Sequence, residues 1–199
     1  MTVARGISAP NLPVAPIQYE QRYQDQFGNV LRLFFNQISN RVNSPIPHAS
    51  YYDTTTQTNP VADTVNLFTF NSVISEFQIS RGMPTSKVFV NSTGLYNFQF
   101  SAQLDKAGGS ASAVYIWPRI NGINVPNSAT KIVIDGPNSE IVPAWNFVLV
   151  LQANDYFELA WQSSDTDVII SAGAAAGNIP GVPSIILTVV WVSNYEANE

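Results

Sequence analysis

Leu95-Tyr-Asn-Phe-Gln-Phe-Ser-Ala-Gln103 is the stretch on which the fold turns. Apolar and polar residues alternate strictly, so Tyr96, Phe98, Phe100 and Ala102 fall on one face and Asn97, Gln99 and Ser101 on the other. A period of two belongs to a β-strand with one face against a core, because successive side chains leave a strand on opposite sides.

The same signal extends outward in both directions. Val114-Tyr-Ile-Trp117 runs on through Arg119-Ile120 into Asn121-Gly122, a dipeptide suited to the positive φ angles of a two-residue hairpin turn. Lys131–Ile134 is a short strand closed by Asp135-Gly136-Pro137, and Trp145–Leu151 and Tyr156–Trp161 are joined by a tight turn near Asn154-Asp155. Val168–Ser171 and Ile185–Val192 complete the series, while Thr64–Phe70, Glu76–Ser80 and Ser86–Val90 precede it. Short strands punctuated by turn residues predict an all-β sandwich or barrel of about eight to ten antiparallel strands. No crossover helix follows Val42, which excludes a parallel α/β sheet. Ile185-Ile-Leu-Thr-Val-Val-Trp-Val192 is apolar on both faces and is expected to be covered on both sides.

Ahead of the strands the period is different. Tyr23, Phe27, Val30, Leu31, Phe34, Ile38 and Val42 recur at helical spacing, with Arg41 near the end and Asn43-Ser44-Pro45 as the stop. Two heptads are too few for a coiled coil. Pro10, Pro13 and Pro16 hold the leading residues extended; an 18-residue arm reaches at most about 60 Å. The expected organisation is therefore an extended arm over 1–18, a helix over 19–44, a linker over 45–62 and the β domain over 63–199.

Charged residues make up only 12% of the 199 residues, against 45% apolar, and an ordinary soluble domain carries about a quarter. A surface so poor in charge suits a part that is covered by copies or partners. The net charge of −5 and the singly scattered basic residues argue against nucleic acid as a partner. With no cysteine and one histidine there is no disulfide framework and no set of zinc ligands. No apolar run approaches the about 18 residues that insert across a bilayer, and the start of the chain lacks the pattern of a signal peptide.

Chemistry-bearing residues are few, and no catalytic, cofactor or metal site is expected. His48 lies in Pro45-Ile-Pro-His48, read as a loop without a Ser-His-Asp relay around it. Asp135, Asp155 and Asp165 are explained by turn chemistry, and Ser164-Asp-Thr-Asp167 lacks the spacing of a calcium loop. Asn91-Ser-Thr93 has the form of a glycosylation sequon but reads as a turn before Gly94, and the small-residue stretch 171–184 has no phosphate-loop lysine. Tyr51, Tyr52, Trp117, Trp145 and Trp161 are aromatic candidates for a carbohydrate platform, weighed against core packing.

Four stretches resemble the jelly roll of the tumour-necrosis-factor and complement-globular-head superfamily. Lys87-Val-Phe-Val-Asn-Ser-Thr-Gly-Leu-Tyr-Asn-Phe98 is similar to its strand, turn and Gly-x-Tyr-x-Phe strand. Ala113–Ile116 followed by Asn121-Gly122 is similar to its next hairpin, Val148–Asp155 with Tyr156–Trp161 to its paired strands around a Gly-Asp turn, and Ile185–Val192 to its closing central strand. Asn154 stands where that turn usually has Gly, and no collagen-like stem is present. The resemblance implies a jelly-roll β-sandwich and tight homotrimers. Separately, Tyr19-Glu20, Gln24-Asp-Gln-Phe27 and Asn29–Asn36 resemble the opening of accessory virion proteins of tailed phages, notably those of cyanobacteria.

Together these imply a structural protein of a virion, not an enzyme: a homotrimeric appendage such as a tail-fibre or collar component, or a capsid knob or decoration. Its arm and helix would contact other virion proteins through residues 1–42, with Tyr23, Phe27, Leu31, Phe34, Ile38 and Val42 as the anchoring set. The alternative is a module binding a host-surface glycan or receptor, with a glycan-cleaving enzyme a distant third.

Overall fold

The computed structural model describes residues 9–195, so the first eight residues of the expected arm lie outside the described part. The chain divides into two compact units, one ending at Pro45 and the other beginning at Ile46.

In the first unit helix α1 (Gln21–Val42) forms where the 3.6-residue stripe lies. It starts behind Glu20, which makes no side-chain cap, and ends at Asn43, whose N–H donates to the Ser39 carbonyl at 3.0 Å. Arg41 stands in the last turn, where the helix dipole favours a cation.

The second unit is built from β1 (His48–Asp53), β2 (Gln57–Thr58), β3 (Asn66–Leu67), β4 (Ser72–Phe77), β5 (Ile79–Arg81), β6 (Val88–Val90), β7 (Gly94–Ala102) and β8 (Leu104–Lys106). It continues through β9 (Ser112–Ile120), β10 (Ile123–Asn124), β11 (Thr130–Ile134), β12 (Ser139–Ile141), β13 (Ala144–Leu151), β14 (Tyr156–Ser163), β15 (Val168–Ile170) and β16 (Ile185–Ser193). One face sheet has the order β13-β7-β16-β1-β4. The opposite sheet runs β10-β9-β14-β6-β5, with β11 also on β9 and β3 also on β14. Every pairing is antiparallel. The chain passes repeatedly between the sheets, from β6 to β7 and from β13 to β14, which makes the fold a jelly-roll sandwich rather than a stack of hairpins. A small third sheet, β12-β8-β15-β2, extends it.

The core is what the alternation of β7 dictates. Tyr96, Phe98, Phe100 and Ala102 are all buried, and Phe98 stacks on Phe157 of β14 with ring centroids 4.0 Å apart. That contact joins the two sheets. Phe68 bridges Trp161 and Phe100 at 6.0 and 6.4 Å, and Trp145 meets Phe100 edge-on at 4.6 Å. Rings at these separations add about 0.5–1.5 kcal/mol per pair beyond the area they bury.

Several expectations need correcting. The segment read as a linker, 45–62, contains β1, a strand lying between β16 and β4. Ala49, Tyr51 and Asp53 point inward there, and a small, an aromatic and an acidic residue give no apolar alternation to read. His48 is accordingly not in a loop but opens β1. The strand expected at Thr64–Phe70 is only Asn66–Leu67, and short strands such as β2 and β12 raise the number of strands among the described residues to sixteen. Ile185–Val192 is a central strand, but only Ile185, Leu187 and Val189 are buried. Its other face is open in the single chain.

Candidate functional site

The open face of β16 belongs to a wider surface. Alternation that sends Phe98, Leu187 and Tyr51 inward sends their neighbours outward, and the register brings them into rows. Val148, Asn97, Val190 and His48 make one row across β13, β7, β16 and β1; Asn146, Gln99, Thr188 and Ser50 make the next; Ala144, Ser101, Ile186 and Tyr52 the third. None of these residues is Asp, Glu, Lys or Arg. His48 is the one titratable imidazole, its Nδ1 lying 2.8 Å from the Ile46 carbonyl and its ring stacked on Phe77 at 6.4 Å. Val148, Val190 and Ile186 are 52%, 38% and 37% exposed, apolar area that an isolated sheet would leave to water. The cations go elsewhere. Lys87 lies over the Tyr156 ring at 4.3 Å, and Arg119 lies 3.9 Å from Glu158, both on the opposite sheet.

The expected anchoring residues Tyr23, Phe27, Leu31, Phe34, Ile38 and Val42 all lie in α1. The first five share a half-exposed stripe, with Tyr23 stacked on Phe27 at 6.0 Å, whereas Val42 is 77% exposed. No residue of the helix is buried, and Leu33 and Phe35 are exposed beside the stripe, Phe35 against Phe34 at 5.9 Å.

One polar cluster escaped the sequence reading. Lys106 is wholly buried, because the alternation of β7 resumes in β8 and turns Leu104 and Lys106 inward. Its ammonium bonds Asp165 and donates to Ser112 Oγ at 3.0 Å; Ser112 Oγ in turn donates to Asp165 Oδ2 at 2.9 Å. The hydrogen bond from Lys106, with the Asp167 backbone N–H at 2.9 Å, holds the Asp165 carboxyl down at about 2. The cluster pins β8, β9 and the 164–167 turn together. It also occupies the carboxylate that a calcium ion would need, and no group of three acidic or histidine side chains suited to a metal occurs among the described residues.

Two further carboxylates, Asp155 and Glu158, are also engaged. Asp155 accepts from Asn121 Nδ2 at 2.7 Å and from the Gln152 N–H at 2.7 Å, while Glu158 accepts from Ser86 Oγ at 3.2 Å. The five aromatics considered for a carbohydrate platform do not assemble one. Tyr51 and Trp161 are buried, and burial, reinforced by the hydrogen bond to Glu76, pushes the Tyr51 phenol well above its ordinary range. Trp145 packs on Phe100. Tyr52 lies on the uncharged face of β1, and Trp117 borders an open groove.

No protein-family model and no curated protein sequence matches the chain. Among solved structures, the sandwich is similar to murine APRIL at pH 5.0 (8% identity, TM-score 0.48) and at pH 8.5 (10%, 0.47), each likeness covering 74% of this chain and 100% of that one. It is similar also to the Eiger TNF of S. frugiperda, at 11% identity and a TM-score of 0.47, over 78% of this chain and 98% of that one.

Proposed function

We propose that this chain is a structural, self-associating component of a tailed-phage virion. Copies pack as a homotrimer through the uncharged face of β13, β7, β16 and β1, and residues 1–42 engage other virion proteins. The observation that carries self-association is that face: three exposed aliphatic side chains set among amides and hydroxyls, with no carboxylate, lysine or arginine to be desolvated. Interfaces between copies are depleted of charge at their centres in the same way. The virion role is supported by the likeness of Tyr19–Asn36 to accessory virion proteins and by the apolar stripe of α1, on which no residue is buried.

Light scattering on the purified chain should give three times the monomer mass. A monomer persisting at micromolar concentration overturns self-association. Phage carrying a version without residues 1–42 should make a folded oligomer that is missing from purified particles. Its continued incorporation overturns the anchoring role.

A further inference from the structure

We propose that the groove beside Trp117, on the face of the second sheet away from the core, is a binding site for an uncharged oligosaccharide. The proposal stands apart from the self-association face, which belongs to the other sheet.

Alternation along β9 buries Val114 and Ile116 and turns Tyr115 and Trp117 outward. The residues after β10 then fold back over the sheet. Val125 N–H donates to the Pro118 carbonyl at 3.1 Å, and Trp117 Nε1 donates to Asn124 Oδ1 at 2.8 Å. An outward tryptophan thereby becomes a wall, 8% exposed, and a groove of about 540 Å³ opens between it, Tyr115, Gln162 and the 124–129 segment.

The chemistry of the lining selects the ligand. Tyr115, 39% exposed, offers a ring face and a hydroxyl. Asn124 has spent its carbonyl on Trp117, which aims its Nδ2 donors elsewhere, and among the described residues no hydrogen bond engages the side-chain amides of Asn127 and Gln162. Ser128 Oγ donates to the Val125 carbonyl at 2.7 Å and keeps its lone pairs. No charged residue lines the groove; Lys131, cross-strand from Tyr115, is the nearest cation by register and stays outside it. An aromatic face with convergent amides and hydroxyls, but no ion, matches the alternating C–H and O–H surfaces of a neutral sugar. It offers nothing to phosphate or carboxylate, and its polarity disfavours a lipid tail.

The test is a binding screen of the full chain against immobilised neutral oligosaccharides (glucans, galactans, mannans and rhamnans), with sulfated and uronic acid glycans on the same array. Saturable binding to at least one neutral glycan is expected, followed by titration of that glycan. Tyr115→Ala should weaken it at least tenfold and Gln162→Ala several-fold, with thermal melting unchanged because both side chains point out of the sheet. Absence of binding to every neutral glycan overturns the proposal. So does binding confined to anionic glycans, or binding that both substitutions leave intact.

Discussion

Lys106 shows how a buried charge depends on the residues that meet it. A fully buried ammonium is tolerated only because Asp165 and Ser112 meet it. Replacing Asp165 by Asn strands that charge and is expected to cost about 3–5 kcal/mol in chemical denaturation. Lys106→Met removes the charge itself and should cost less. The Asp165 carboxyl is held below its ordinary value, so its contribution is complete above about pH 4 and is lost as the pH falls toward 2. Acid unfolding monitored by tryptophan fluorescence should therefore begin in that window, and the Lys106→Met variant should lose this component. Gly94 is a second case. A Cβ there would lie 2.3 Å from Trp191 Nε1 and 2.7 Å from the Ser193 carbonyl oxygen, so Gly94→Ala should lower the melting temperature by several degrees, in keeping with about 1–3 kcal/mol of overpacking.

At the scale of elements, the turn between β13 and β14 carries the chain from one sheet to the other. Asn154 sits there at φ 73, a region that Asn tolerates and β-branched residues do not, which explains how it fills a place where glycine is usual. Asn154→Gly is expected to be neutral within about 0.5 kcal/mol, and Asn154→Val to cost more than about 1 kcal/mol in equilibrium unfolding. Strands with an apolar period announced themselves: β7, β9, β13, β14 and β16 all lie within a residue or two of where the sequence puts them. The Asn121-Gly122 turn likewise closes β9 onto β10, with both residues at positive φ. What stayed illegible had a physical cause. β1 buries Ala, Tyr and Asp, while β2 and β12 are two or three mostly polar residues whose pairing is supplied by partners far away in sequence. Lys106 would have emerged from continuing the count of β7 past Gln103. The groove had no periodic signature, because its far wall is a loop that returns over the sheet.

For the whole molecule, the uncharged sheet face makes a sharp claim. Val190 lies in the middle of it, pointing away from the core, so Val190→Asp should leave the sandwich folded while dissociating the oligomer in light scattering. Loss of fold together with loss of mass would mean that the face serves the sandwich rather than its neighbours. The total lack of formal charge there was readable only after the register was known, since Asn97, Gln99, Ser50 and Val190 come from three separate stretches of chain.

The position of β16 between β7 and β1 has a bearing on biosynthesis. Its hydrogen-bonding partners are made first, and both must wait, with their inner edges bare, until Ile185–Ser193 leaves the ribosome. Until then the nascent polypeptide carries two sticky, half-finished ribbons. A premature stop anywhere before Ile185 would leave a gap in the middle of the sheet rather than trimming its edge, and such a product is destined for aggregates or proteolysis instead of a smaller working version.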